Sequence, residues 1–254
     1  MKTALQFEPR KLTHAFVITT NPDKIRLDFK YEWFKSLSVN FITQFDYRNL
    51  NEKQLNLLFD CKSFLNRYGL TPSPGAIGCA AAHRECYRIL CEEEGCCALI
   101  FEDDVLYDYR LIEAINEINN SILEYDVINL SVIQGVFHSK PVLNISSGPI
   151  YRASLSQFGA YAYLIHRGCA ERFMNIQQPL IRHFSDWPLE TWQFRCFGIH
   201  SNLTQFSGRP TTVQSSRLDH KPTLRTKIVH HTRLIWWRLM KFYRIRIRKD
   251  LVIE

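Results

Sequence analysis

An α/β fold with a mostly parallel sheet flanked by helices is what this sequence predicts, on three observations. Short apolar runs of strand length alternate with segments of helical period over the first 175 residues. Two of these runs, Ala15 to Ile18 and Ala98 to Phe101, end abruptly in polar residues, as strands do on leaving a buried sheet. Hydrophobic residues at 46% and charged residues at 22% of 254 describe a globular chain rather than a disordered or fibrous one.

Taken in order, Ala15-Phe16-Val17-Ile18 reads as a strand that runs into a loop at Thr19-Thr20-Asn21-Pro22. The mixed stretch to Phe34 is expected to be helical, and Val39 to Phe45 a second strand. Leu55, Leu58, Phe59, Leu65 and Tyr68 recur at helical spacing between Asn51 and Tyr68. Thr71-Pro72-Ser73-Pro74-Gly75 breaks the chain, and a helix is expected from near Ile77 to about Cys91. Ala98 to Phe101 is a compact strand, followed at once by Glu102-Asp103-Asp104. Leu111, Ile112, Ile115, Ile118 and Ile122 mark an amphipathic helix, and Val127 to Leu130 another strand. Tyr161 to Ile165 reads as a strand feeding a helix from Arg167 to Met174. The organisation expected is one domain over residues 1–224 and a basic helical tail over 225–254.

The net charge of +7 belongs to that tail. From Arg225 onward nine Lys/Arg face only Asp250 and Glu254, so residues 1–224 carry 23 basic and 23 acidic side chains. A polyanion-binding surface on the main body is therefore not implied, and no nucleic-acid partner is expected. Among the eight cysteines no C-x-x-C occurs, which argues against a zinc ribbon, and Cys79, Cys86 and Cys91 read as small hydrophobes of one helix. No apolar run approaches the roughly 18 residues of a membrane span, and a reducing cytoplasm is the expected compartment.

The acidic triplet carries the first chemical signal. Open α/β sheets place ligands beyond the carboxyl ends of their strands, where Glu102-Asp103-Asp104 falls. Adjacent carboxylates repel one another unless a cation, a hydrogen-bond donor or water relieves them. In extended backbone Glu102 and Asp104 share one side and Asp103 takes the other. Hard oxygen ligands suit Mn²⁺ or Mg²⁺, with diphosphate oxygens completing the shell. The alternative is a solvated acidic loop capping the helix that begins near Arg110. No G-x-S-x-G, P-loop or G-x-G-x-x-G pattern offers a competing chemistry.

Gly75-Ala76-Ile77-Gly78-Cys79-Ala80-Ala81-Ala82-His83, then a helix, then ALIFEDDV, resembles glycosyltransferase family 25, the lipopolysaccharide and lipooligosaccharide galactosyl- and glucosyltransferases. Gly159-Ala160-Tyr161-Ala162-Tyr163-Leu164-Ile165-His166-Arg167-Gly168, Phe184-Ser185-Asp186-Trp187 and Pro210 to Ser216 are similar to later motifs of that family, in the same order. Ala82 stands where the family has Ser, and Thr19-Thr20-Asn21 where it has I-N-L. The resemblance implies a GT-A-like, Rossmann-type fold and a UDP-hexose donor, with galactose favoured. It also implies Mn²⁺ or Mg²⁺, inversion at the anomeric carbon, and a lipooligosaccharide, lipopolysaccharide or related glycan or glycolipid acceptor. The rival is a catalytically silent nucleotide-sugar or glycan-binding protein of the same fold.

Within that frame Asp186 is the candidate catalytic base, beside Trp187 whose face suits a sugar; its alternative role is an N-cap for a helix including Leu189 to Phe194. Asp104 is the candidate metal ligand with Glu102 assisting, and Asp103 a candidate acceptor for donor hydroxyls. His83, near a helix start that favours phosphate, is a candidate donor contact, and otherwise a packed helical histidine. Thr19, Asn21 and Arg26 follow the first strand and are candidate nucleotide contacts. Gln214 matches a late family glutamine, and its alternative is a turn-forming amide. In the tail, Trp236, Trp237, Phe242 and Tyr243 interleave with basic residues over 225–249, which suits a helix lying on an anionic membrane surface. That would place the enzyme on the inner face of the cytoplasmic membrane; self-association, packing on the domain or RNA binding are the tail's other readings.

Overall fold

Burial on both faces is what turns the apolar runs into central strands. The computed structural model describes residues 12–20, 37–68, 71–93, 95–103, 105–132, 135–153, 161–176, 194–199, 203–206, 228, 232, 235 and 251–253. Strand β1 (Leu12–Ile18) pairs in parallel with β2 (Ser38–Ile42) on one side and β3 (Cys97–Glu102) on the other. Ala15, Phe16 and Val17 are wholly inaccessible, as are all of Cys97 to Phe101. A strand covered on two sides shows no alternation, only an unbroken apolar run.

Between β2 and β3 lie helices α1 (Glu52–Leu58), α2 (Cys61–Tyr68) and α3 (Pro74–Glu92). The single helical period expected over residues 51–68 is interrupted at Phe59, whose extended backbone (φ −145°, ψ 133°) ends α1. Asp60 then accepts a hydrogen bond from the Ser63 amide at 2.8 Å and starts α2. The interruption lets Phe59 and Phe64 meet edge to face, 5.4 Å apart, in a cluster with Ile77. Helix α3 begins at Ser73, whose hydroxyl caps the Ala76 amide, with Pro74 in the first turn where its missing N–H costs nothing.

After β3 come β4 (Val105–Tyr107), α4 (Arg110–Asn119), β5 (Val127–Asn129), the hairpin β6 (Gly135–Ile145) and β7 (Gly148–Ala153), β8 (Ala162–His166) and α5 (Arg167–Ile176). Strands β9 (Cys196–Ile199), β10 (Thr204–Phe206) and β11 (Leu251–Ile253) are the remaining described strands. Among the described residues, nine strands form one sheet in the order β11-β6-β7-β9-β5-β8-β3-β1-β2, while β10 and β4 pair separately. Helices α3 and α5 cover one face, meeting Phe16, Ile100, Tyr163 and Ile165; α4 covers the other, meeting Ala15, Leu99, Ile128 and Leu164.

The expectation of a mostly parallel sheet is corrected: the sheet is mixed. Among the described strands only β1–β2, β1–β3 and β5–β9 are parallel. The pairings β3–β8, β5–β8, β6–β7, β7–β9 and β6–β11 are antiparallel. The physical reason is that burial does not encode direction. Strand β8 is as fully buried as β3, yet it runs against both neighbours. Only Ser146 and Ser147 join β6 to β7, too few for a parallel crossover, and Gly148 takes φ 129° after the turn. The expected strand over residues 39–45 stops at Ile42. Phe194, expected in a helix, is a turn residue before β9. In the tail Ile228, Thr232 and Ile235 are helical, and Leu251–Ile253 pairs with β6; its other residues, and the expected helix before Phe34, lie outside the described ones. No described helix is long and apolar enough to cross a membrane.

One buried charge ties β5, α5 and β9 together. Asp126, 5% exposed, accepts the Arg195 amide at 2.7 Å and faces the guanidiniums of Arg172 at 3.1 Å and Arg195 at 3.5 Å. Arg172 also lies 4.3 Å above the Phe194 ring. Burial alone would raise the Asp126 pKa, but the Arg195 N–H and the two guanidiniums outweigh it and hold it below the usual value. Stability from a depressed carboxylate is complete above its unfolded pKa, about 3.9, and is lost as pH falls through the lower folded value. Because both arginines stay half exposed without it, Asp126→Asn should cost about 2 kcal/mol at neutral pH, short of an orphaned buried charge. The gap between variant and parent should narrow below about pH 4. Urea midpoints from neutral to acid pH test this; a gap independent of pH would mean that the Asp126 charge does not stabilise the fold.

Candidate active site

The pleat of β3 decides where the acidic triplet points. Ala98 and Ile100 face the α3–α5 layer, and Leu99 and Phe101 the α4 layer. Continuing the alternation sends Glu102 toward α3 and Asp103 away from it. Glu102 Oε1 accordingly lies 3.9 Å from the Cys79 thiol and 3.5 Å from His83 Nε2, both carried by α3. Cys79 and His83 are four residues apart and so share a helix face. On the other side of the His83 ring, Nδ1 lies 2.6 Å from the Tyr163 hydroxyl of β8, which is 2.9 Å from the Tyr87 hydroxyl. The His83 and Tyr163 rings stack with centroids 5.6 Å apart.

Asp103 turns to the end of β1. The Thr19 hydroxyl donates to Asp103 Oδ2 at 2.5 Å, and the Asp103 amide donates to the Ile18 carbonyl at 3.1 Å. Thr19, 3% exposed, donates its own amide to the Ile42 carbonyl of β2. The carboxyl ends of three parallel strands thus meet around one threonine and two carboxylates.

The electrostatics follow from burial. The Glu102 side chain is only 14% exposed, and burial, then the adjacent Asp103 charge, push its pKa up to about 8 against a weak lowering by Cys79. Burial pulls His83 down to about 3, and pushes the Tyr163 and Tyr87 hydroxyls well above their usual range. At neutral pH the His83–Glu102 contact therefore joins two uncharged groups rather than an ion pair. A positive charge arriving beside Glu102 would draw its proton off.

Of the residues that the sequence marks, Thr19, His83, Glu102 and Asp103 are brought together at this end of the sheet. His83 is 1% exposed and directs its ring nitrogens at Tyr163 and Glu102. Asn21, Arg26, Asp104, Asp186 and Gln214 lie outside the described residues. Sequence reasoning does not reach Cys79, Tyr87 and Tyr163 as site residues. The four-residue spacing of Cys79 and His83 is a signal for the first, whereas the tyrosines read as core.

Fold and site together define an α/β protein whose polar centre lies beyond the carboxyl ends of parallel strands, a usual place for a nucleotide-type ligand. The chain belongs to glycosyltransferase family 25 (LPS biosynthesis protein), whose model matches residues 12–187. That span includes Asp186 and excludes Gln214. No curated protein sequence matches the chain. Among solved structures, A197 from STIV is 13% identical with TM-score 0.41, covering 74% of this chain and 82% of its own. The inositol-1-phosphate CTP transferase of T. maritima is 11% identical with TM-score 0.42, covering 82% and 94% respectively. Mouse xyloside xylosyltransferase 1 is 14% identical with TM-score 0.31, covering 75% and 66%. At these scores the likenesses carry no argument about the site.

Proposed function

We propose that this glycosyltransferase moves a hexose, galactose in the favoured reading, from a UDP-sugar to a lipooligosaccharide or lipopolysaccharide acceptor, with inversion and with Mn²⁺ or Mg²⁺. The observation supporting it most is the convergence of Thr19, Glu102 and Asp103 where β1, β2 and β3 end, in a chain of this family. Such a cation fits that end, because the buried Glu102 carboxyl has a thiol and a neutral imidazole beside it rather than a fixed positive charge, and Asp103, oriented by Thr19, adds negative charge next to it in sequence. When bound, it would offset the charge on the departing diphosphate.

The chain's own residues then divide the work. Asp104 holds the cation, with Glu102 assisting through the oxygen not turned to α3, and Asp103 accepts from donor hydroxyls. Asn21, Arg26 and Gln214 contact the nucleotide, whereas Thr19, which the sequence marks for the same role, is 3% exposed with its hydroxyl on Asp103 and orients that carboxylate instead. His83, which the sequence marks as a donor contact, is 1% exposed with its ring nitrogens turned to Tyr163 and Glu102, so its role here is to fix Glu102 rather than to touch the diphosphate. Asp186 takes the proton of the attacking acceptor hydroxyl, which requires approach to about 3 Å. The direct test is hydrolysis of a panel of UDP-sugars with and without Mn²⁺. UDP release should be greatest from UDP-galactose and should stop with a chelator; UDP binding without release from any donor would favour the silent binding protein.

In the same proposal the aromatic and basic tail holds the enzyme at an anionic membrane surface. Deleting the tail would also remove β11 from the sheet edge, so substitution is the cleaner test. Trp236→Ser with Trp237→Ser should weaken sedimentation with anionic liposomes at least tenfold while leaving transfer to a soluble acceptor unchanged; equal liposome binding would dismiss the membrane role.

A further inference from the structure

We propose that Cys79, His83 and Glu102 bind a zinc-class divalent cation, at a second site that shares only Glu102, through its other oxygen, with the one assigned to the donor diphosphate. The ligand atoms of the three residues all lie within 4.8 Å of one another. The distances favour an ion over direct hydrogen bonding. At 3.5 Å the His83–Glu102 contact is far longer than the 2.6 Å bond the same ring makes to Tyr163, and the thiol lies 3.9 Å from the carboxylate. With metal–sulfur, –nitrogen and –oxygen bonds of about 2.3, 2.0 and 2.1 Å, a tetrahedral ion spaces its ligands about 3.4 Å apart for N···O and 3.6 Å for S···O. The two gaps to Glu102 are within a few tenths of an ångström of these values, and an ion would set the third, between the thiol and the imidazole, at about 3.5 Å.

The surroundings suit the same reading. Cys79 and His83 stand one turn apart on α3, and β3 ends opposite them with Glu102. The Tyr163 hydroxyl against Nδ1 orients the ring so that Nε2 faces the gap, the outer hydrogen bond that metal-bound histidines usually carry. Thiolate, imidazole and carboxylate form a mixed donor set that suits zinc better than the hard cation of a diphosphate. Three protein ligands leave one position for water, and the partial exposure of Cys79 and Glu102 gives that water a route in. Binding would release the thiol proton and the carboxyl proton to solvent. The ion would lock α3 to the strand end from which the acidic triplet departs.

Co²⁺ alone is the probe, titrated into the chelator-treated full chain. The expected result is a single equivalent with tetrahedral visible bands and a near-ultraviolet thiolate-to-cobalt band, displaced by Zn²⁺. Because the chain has eight cysteines, Cys79→Ser must identify the ligand: the near-ultraviolet band should vanish and affinity fall at least tenfold, with the circular dichroism unchanged. Asp104→Ala should leave the band intact. A missing band, a band undiminished in Cys79→Ser, or a band lost in Asp104→Ala would each overturn this second site. UDP-sugar turnover measured on the same samples keeps the two readings apart, since Mn²⁺-dependent turnover without a cobalt band sinks only this one.

Discussion

Asp104→Ala should lower Mn²⁺-dependent UDP-sugar turnover about 10²- to 10³-fold with no change in thermal unfolding. The size follows from the proposed role, because removing a group that stabilises charge on a leaving group costs about 3–4 kcal/mol of the barrier. The stability should hold because the fold depends on the residues before it. Strand β3 is buried through Phe101, and its last ladder contacts run from the Glu102 amide to the Tyr161 carbonyl and from the Asp103 amide to Ile18. Asp103→Asn makes a graded comparison, since an amide oxygen can still accept from Thr19 while the charge is gone; a loss of about tenfold is expected there. Turnover in Asp104→Ala equal to the parent would withdraw the cation from the acidic triplet.

Gly78→Ala should destabilise the chain by about 3 kcal/mol, although alanine is the better helix former. Two effects compete. Propensity inside a helix favours the substitution by about 1 kcal/mol. Against it, a Cβ at residue 78 would lie 2.2 Å from the Phe45 carbonyl oxygen and 3.5 Å from its carbon. The obstacle is backbone just beyond β2, so no side-chain rotation relieves it, and α3 must back away from the sheet. Retreat would loosen the cluster of Phe59, Phe64 and Ile77 and carry Cys79 and His83 away from Glu102. A lower urea midpoint with an unchanged slope, together with reduced turnover, is the expected pair of readings. A midpoint at or above the parent's would mean that the loop after β2 yields easily.

What the sequence could disclose was local. Apolar runs located β1, β3, β5 and β8, because those strands are buried on both faces, and period and breakers located α3, α4 and α5. The hairpin of β6 and β7 was not legible: Lys140 and Pro141 sit within β6, and much of it is exposed, so no apolar run forms. Direction was hidden for β8 by its full burial, since cover on two sides erases the alternation that betrays an antiparallel strand with a wet face. For the site, position alone marked Glu102 and Asp103, because they follow a compact strand. Their partners were another matter. Thr19 meets Asp103 only through the pairing of β1 with β3, and His83 reaches Glu102 only once α3 has docked. Such contacts belong to packing rather than to local pattern.

The strand order has a consequence for biosynthesis. β8 fills the slot between β3 and β5, yet it is made some sixty residues after β3. A nascent chain that has emerged only through β5 therefore holds the β1–β2–β3 ladder with one flank of β3 open: an apolar strand with unpaired amides and carbonyls, the kind of template on which neighbouring chains cross-pair. Translation speed and chaperone cover over roughly residues 103–166 should then govern the yield of native enzyme more than the final stability of the sheet does.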